Sequence, residues 1–322
     1  MRWMLGWLLL IVCLAPERAF AQPYPTKPIK LVVPLAPGGQ ADVIGRLFGQ
    51  RLGELLQQPV VIVNQGGAGG TIGAEQVAKS AADGYTLLVG GSNNLALAAA
   101  LRPDLPYDPV KSFVAIGAIA RVSYGLAVNP RLPVRNVQEL ISYSRARPGR
   151  LNYGSSGTGS MSSLGSEMLK SAAALDIEHI PYTGSAPSLA ALVGGQIDIM
   201  FADLSLLIPQ AGSGAVRLIG AAGAHRALAA PDLPTVAEQG VPGFDLDAWY
   251  GIVAPAGTPA DIVAKLRGAL SEMLRTPDFR QRLEQLGYDP VDDKTSDLDA
   301  MIRADIDKYS ALAKRAKIRA GP

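Results

Sequence analysis

The chain has 322 residues, 48% of them hydrophobic, and a formal net charge of +2. Near neutrality excludes the basic footprint of a nucleic-acid binder, and a lone cysteine, Cys13, excludes an internal disulfide framework. A chain of this length builds its core by packing alone. The first predicted element is a leader, in which Arg2, the apolar run Leu5 to Ala15 and the small-residue pattern Ala19-Phe20-Ala21 read as a secretory signal peptide over residues 1–21. The run falls short of the roughly 20 residues that a bilayer-crossing helix needs. Cys13 lies inside it behind Leu10-Ile11-Val12, without the small residues that precede a lipidated cysteine. The mature chain is thus predicted to begin at Gln22 and to reside in the periplasm.

Short β-branched runs then alternate with amphipathic segments, and Gly or Pro punctuates nearly every junction, the pattern of an α/β protein. Ile29 to Leu35 reads as a strand covered on both faces, and Ala41 to Gln57 as a helix with Val43, Leu47, Leu52 and Leu55 on one stripe. The unit repeats through a strand at Val60 to Asn64, a helix at Thr71 to Ala81 and a strand at Tyr85 to Val89 that ends at Ser92-Asn93-Asn94. Beyond the proline-rich stretch Pro103 to Pro109, two apolar runs, Phe113 to Ala120 and Tyr124 to Val128, read as a first crossing between lobes. A second set follows, with helices at Val137 to Arg145, Ser160 to Ala172 and Ser185 to Val193, and strands at Leu151 to Gly154, Ile177 to Ile180, Ile197 to Phe201 and Val216 to Ala221. Ala248 to Ala254 reads as the return crossing. Pro259 sits near the start of one C-terminal helix, and Ser296-Asp297-Leu298-Asp299 starts another, whose stripe of Leu298, Ile302, Ile306, Tyr309 and Leu312 should dock onto a lobe. The basic stretch Lys314 to Arg319 suits the end of that helix.

Four loops fall where strands end and helices begin, the place where open α/β sheets bind ligands. They are rich in glycine and hydroxyls and poor in charge. The first supplies Gly38, Gly39 and Gln40 at a helix N-terminus that attracts anions; Asp42 beside them either serves the helix start or meets a ligand. The second supplies Gly67, Ala68 and Gly69; it fails the dinucleotide fingerprint because Ile72 stands where the third glycine belongs, and reads as an anion nest or a tight turn. The third supplies Ser155, Ser156, Thr158, Gly159 and Ser160, and the fourth Tyr182, Gly184, Ser185 and Ala186. Ser92, after a strand, joins the candidates. Asp203 ends a strand and either accepts from a ligand hydroxyl or ammonium or caps the helix from Leu204 onward.

Two other chemistries find little support. A serine hydrolase using Ser156 or Ser160 needs a histidine in reach; His179 reads as a strand residue, His225 lies in a polar turn, and Thr158 breaks the G-x-S-x-G elbow. With two histidines, no paired spacing and no cysteine after the leader, no metal site or cofactor is expected.

Taken in order, Val33-Pro34-Leu35-Ala36-Pro37-Gly38-Gly39 with Asp42 and Arg46, Asn64 with Gly67-Ala68-Gly69-Gly70, Asp83-Gly84-Tyr85-Thr86, Tyr153 to Ser160, Pro181 to Pro187, Gly194-Gly195-Gln196-Ile197-Asp198 and Trp249-Tyr250-Gly251 resemble the substrate-binding subunits of tripartite tricarboxylate transporters, the Bug family. The resemblance implies a type II periplasmic-binding fold, two α/β lobes with a ligand cleft between them. It also implies carboxylate capture through backbone amides, hydroxyls and ordered water, without catalysis. One departure is Ser163, where the family commonly has histidine, so any imidazole contact is absent or replaced. The expected division is residues 22–124 plus 252–322 for one lobe and 125–251 for the other. The expected function is delivery of a small carboxylate, whether di- or tricarboxylate, aromatic carboxylate or acidic amino acid, by a monomer to membrane permease subunits. A sensory module presenting the ligand to a membrane receptor is the alternative, with the hydrolase behind it.

Overall fold

The computed structural model describes residues 24–292 and 297–316; the leader, the Ser296 start of the last helix and the basic residues from Lys317 on lie outside the described residues. Strand β1 (Ile29–Val33) is apolar apart from Lys30 because both faces are covered, with Ile29, Leu31, Val32 and Val33 fully buried. Helix α1 (Gln40–Leu56) lays Ala41, Ile44, Phe48 and Leu52 onto it. Gly45 sets how closely that helix approaches, since a Cβ there would stand 2.8 Å from Val33 Cγ2. Strands β2 (Val60–Asn64) and β3 (Thr86–Gly91) flank β1 in parallel, with α2 (Thr71–Ala78) between them in the chain. The alanine-rich segment after β3 forms a π-helical stretch, Ser92–Leu97, and a short helix α3 (Ala98–Leu101).

The two apolar runs expected as separate strands form a single 16-residue strand, β4 (Phe113–Val128). Arg121 and Ser123 interrupt the apolar pattern but not the backbone ladder, which runs on through the pairs Arg121 with Trp249 and Ser123 with Asp247. The part of β4 up to Ser123 pairs antiparallel with β9 (Asp247–Pro255), whereas Tyr124 to Val128 pair with β7 (Ile199–Asp203) and β8 (Arg217–Ala221). The whole order is β2-β1-β3-β9-β4-β7-β5-β6, with β5 (Leu151–Ser155) and β6 (Ile177–Pro181) parallel to each other and β5 parallel to β7. The connecting helices are α4 (Val137–Arg145), α5 (Met161–Ala173), α6 (Ser185–Gly194) and α7 (Leu204–Gly212). Two α/β units therefore share one long strand.

The chain closes with α8 (Ala260–Arg275), which starts just after Pro259, α9 (Pro277–Gln285), the two-residue β10 (Asp289–Pro290) and α10 (Leu298–Ala316). The last helix buries Leu298, Ile302 and Tyr309, as its stripe predicts. It packs on both units instead of one, against α3 and the π-helical stretch on one side and α5 on the other. Asp305 accepts from Trp249 Nε1 at 2.7 Å, which ties α10 to β9. Among the described residues no helix is long and apolar enough to cross a membrane.

Candidate functional site

Asp42 organises the first loop. Its Oδ2 accepts from the Gly38 N–H and from Arg46 Nε, each at 2.9 Å, and its Oδ1 accepts from Asn64 Nδ2 at 2.9 Å. Burial works to raise this carboxyl, but the hydrogen bonds from Arg46, the Gly38 N–H and Asn64 outweigh it and hold Asp42 below the ordinary carboxylate value. One amide that the sequence offers to a ligand, that of Gly38, is thus engaged by the protein, and the loop is pinned to the end of β2. Gly38, Gly39, Gly67, Ala68 and Gly69 are exposed.

A cavity forms where the two units meet. It is lined by Gln40 from α1, Gly69 from the second loop, Ser92 to Asn94 after β3, Tyr124 of β4, Asp203 at the end of β7, and Trp249 with Tyr250 of β9. The space for solvent within it is about 10 Å³, the room of roughly one water. Among the described residues that line it, none is basic.

Asp203 is the one charge in this lining. It is 8% exposed, makes no capping hydrogen bond to α7, and its Oδ1 has no hydrogen-bond partner. The capping role open to it in sequence is not what the side chain does. Burial pushes its carboxyl up from 3.8 to about 6, partly offset by the Tyr124 hydroxyl and the Gln40 amide. Burial, and next the nearby Asp203 charge, push the Tyr124 and Tyr250 hydroxyls well above their ordinary value, so both are neutral. Two further atoms here lack partners, Asn93 Oδ1 and Asn94 Nδ2, although Asn94 Oδ1 accepts from the Gly91 N–H at 2.8 Å. Ser92 Oγ accepts from the Trp249 N–H at 3.0 Å. Gln40 Nε2 donates to Ser205 Oγ at 2.9 Å and so bridges α1 to α7 across the junction.

Of the sequence candidates, the structure brings Gln40, Gly69, Ser92 and Asp203 into this one lining. The third and fourth loops form a second group that does not line it. There the Tyr182 N–H donates to the Ser155 carbonyl at 3.0 Å. Much of the hydroxyl inventory is spent locally: Ser160 caps α5 by accepting from the Ser163 N–H at 3.3 Å and donates to the Gly157 carbonyl at 2.6 Å, while Ser162 Oγ accepts from the Ser156 N–H at 2.9 Å. Gly157 takes φ 125°, a conformation that side-chain-bearing residues rarely adopt. Gly184 and Ser185 are half-buried, Thr158 and Ala186 exposed. Gly159 faces the other unit, where a Cβ would lie 3.6 Å from Leu101.

Sequence reasoning left no histidine within reach of a serine, and the structure corrects this. The parallel register that sets Tyr153 beside His179 brings Ser155 Oγ to 2.7 Å from His179 Nε2, with the Tyr153 and His179 rings stacked at 4.7 Å. The pair is structural in character, because Ser155 is fully buried and bends back toward the Gly157 carbonyl at 3.2 Å. Burial lowers the His179 value, which favours the neutral ring. Sequence reasoning also missed Tyr124, Tyr250, Asn93 and Asn94 as cavity walls. Their only signal was adjacency, either to a crossing segment or to a strand end.

Two α/β units linked by crossing strands, with a polar cavity at the junction, define the architecture of a periplasmic solute-binding protein. The family described as tripartite tricarboxylate transporter family receptor, TctC, matches residues 44–318. Protein BugT of Bordetella pertussis is 32% identical over 295 residues, covering 91% of this chain and 90% of BugT. Among solved structures, a Rhodopseudomonas palustris protein with adipate is 36% identical with TM-score 0.84, covering 92% of this chain and 99% of that one. MatC of Rhodopseudomonas palustris with bound malate is 34% identical with TM-score 0.80, covering 90% and 99% respectively. The chain belongs to the TctC family of periplasmic substrate-binding receptors, which includes the Bug proteins.

Proposed function

We propose that this receptor captures a small carboxylate between its two lobes in the periplasm and presents it to the membrane subunits of a tripartite tricarboxylate-type transporter. The observation that carries the reading is the cavity at the junction of the two units, whose wall offers the side-chain amides of Gln40, Asn93 and Asn94 and the Ser92 hydroxyl beside the glycine-rich second loop. The bound adipate and malate of the two similar structures support it. Of the described residues, 24–124 with 252–292 and 297–316 make one lobe and 125–251 the other, hinged where β4 and β9 cross. Gly39, Gln40, Gly67 to Gly69 and Ser92 hold one end of the ligand. Ser156, Thr158 to Ser160, Tyr182 and Gly184 to Ala186 close over it from the facing lobe, while Asp42 and the buried Ser155 act by shaping the first and third loops.

Each amide-to-carboxylate bond contributes about 1.5 to 3 kcal/mol because it is charge-assisted, so a few of them support micromolar capture after hinge and association costs. Only the closed state makes all the contacts, so ligand shifts the population toward closure and gives the transporter a shape to read. A space of about 10 Å³ is too small for any dicarboxylate, so entry requires the lobes to part. Thermal-shift screening of mono-, di- and tricarboxylates, aromatic carboxylates and acidic amino acids, followed by calorimetry, tests the reading. Stabilisation by at least one of them is expected; stabilisation by none would remove the carboxylate assignment.

A further inference from the structure

Asp203 presents a problem that the carboxylate reading alone does not solve. A site built to attract an anion holds, in its wall, a carboxylate that is 8% exposed, with one oxygen unpartnered. The groups that face it are Tyr124 of β4, Tyr250 of β9, Tyr288 ahead of β10 and Gln40 of α1, all neutral. No basic residue lines the cavity among those described. A buried charge without a counter-charge is costly, and a second carboxylate brought against it adds repulsion. A ligand hydroxyl would fill the open bond on Oδ1 yet leave the charge unbalanced. An ammonium does both.

We propose that the ligand is an acidic amino acid, whose ammonium is received by Asp203 Oδ1 while a carboxylate lies toward the amide donors of the first lobe. The remaining orphans of the lining fit this polarity. Asn93 Oδ1 is a second unfilled acceptor for an ammonium that carries three protons, and Asn94 Nδ2 is an unfilled donor for a carboxylate oxygen. Asp203 is then a specificity residue that favours amino acids and disfavours the bare dicarboxylates of the same skeleton.

This inference rests on the carboxylate reading, and one calorimetric series separates the two. At pH 7.5 the protein is titrated with aspartate, malate and succinate and with their five-carbon counterparts, glutamate, 2-hydroxyglutarate and glutarate. The amino acid of at least one set is expected to bind tightest. Asp203→Asn should weaken that amino acid by about 30-fold or more, the usual cost of breaking a buried charge pair, and leave the bare dicarboxylate equal or tighter. The wild-type protein supplies a second readout that needs no variant. Asp203 takes up its proton near pH 6, while the three tyrosines stay neutral, so amino-acid affinity should fall about tenfold at pH 5. Equal or tighter binding of the bare dicarboxylates, with an order that neither Asp203→Asn nor pH 5 changes, would overturn the inference and leave the carboxylate reading standing. Binding of none of the six compounds would overturn the inference, and the wider carboxylate screen alone would then decide the carboxylate reading.

Discussion

Replacing Asp203 with Asn should make the ligand-free protein more stable at neutral pH, although it damages the proposed site. The folded protein holds the Asp203 proton at about pH 6, against an ordinary value of 3.8. Because the folded value is the higher one, this group's contribution favours folding most below pH 3.8 and is lost as pH rises through about 6. The difference corresponds to about 3 kcal/mol at pH 7.5. Asparagine keeps the shape and carries no charge at any pH, so the variant escapes this cost. Urea and thermal unfolding of both proteins between pH 4 and pH 8 should show the variant ahead by up to about 3 kcal/mol at pH 7.5, or ~6 °C in Tm for a protein of this size, and level near pH 4. Asp247, which burial also raises to about 6, is common to both proteins and drops out of the comparison. A variant less stable than wild type at pH 7.5, or a gap independent of pH, would refute the view of Asp203 as an uncompensated buried charge.

Asp42→Ala removes an acceptor of three hydrogen bonds and should cost about 2 to 3 kcal/mol in urea unfolding at pH 7. As the Asp42 value is lowered in the fold, its contribution is present above the ordinary 3.8 and lost as pH falls through the folded value, so variant and wild type should converge in acid. Gln40→Ala breaks the bridge to Ser205, worth about 1 kcal/mol, and should weaken ligand binding about fivefold in calorimetry while widening the ligand-free envelope in small-angle scattering. Ser155→Ala should lower stability by about 1 to 2 kcal/mol by stranding His179, and should leave hydrolysis of generic esters at the solvent background. Ester turnover that disappears with Ser155 would contradict the structural role assigned to that pair.

The sequence made the repeated strand-loop-helix plan legible because each strand and helix keeps its own hydrophobic period and glycine marks each exit, as at Val33 to Gly39 before α1. It also marked Asp203, since an acid at a strand's end is conspicuous among apolar neighbours. The unity of β4 was hidden, because Arg121 and Ser123 look like a break until β9 and β10 are seen to pair across them. The meeting of Ser155 with His179 depends on the register of two strands 24 residues apart, which spacing alone does not reveal. The cavity walls Tyr124 and Tyr250 were hidden for a similar reason: their local sequence announces a buried strand, and only the antiparallel crossing turns them toward Asp203. Local patterns carried the elements; long-range pairing decided which loops meet, and it left the third and fourth loops outside the small cavity.

In the chain from Gln22 onward Trp249 is the only tryptophan, and it lines the cavity at the junction of the two units. Its emission therefore reports events in the proposed cleft without an added label. Titrating the protein with carboxylates at pH 7.5 while following that emission should give a saturable change with the true ligand and none with its uncharged ester or amide counterpart. A response of equal size from the uncharged counterpart, or no response to any carboxylate, would contradict capture of an anion between the lobes.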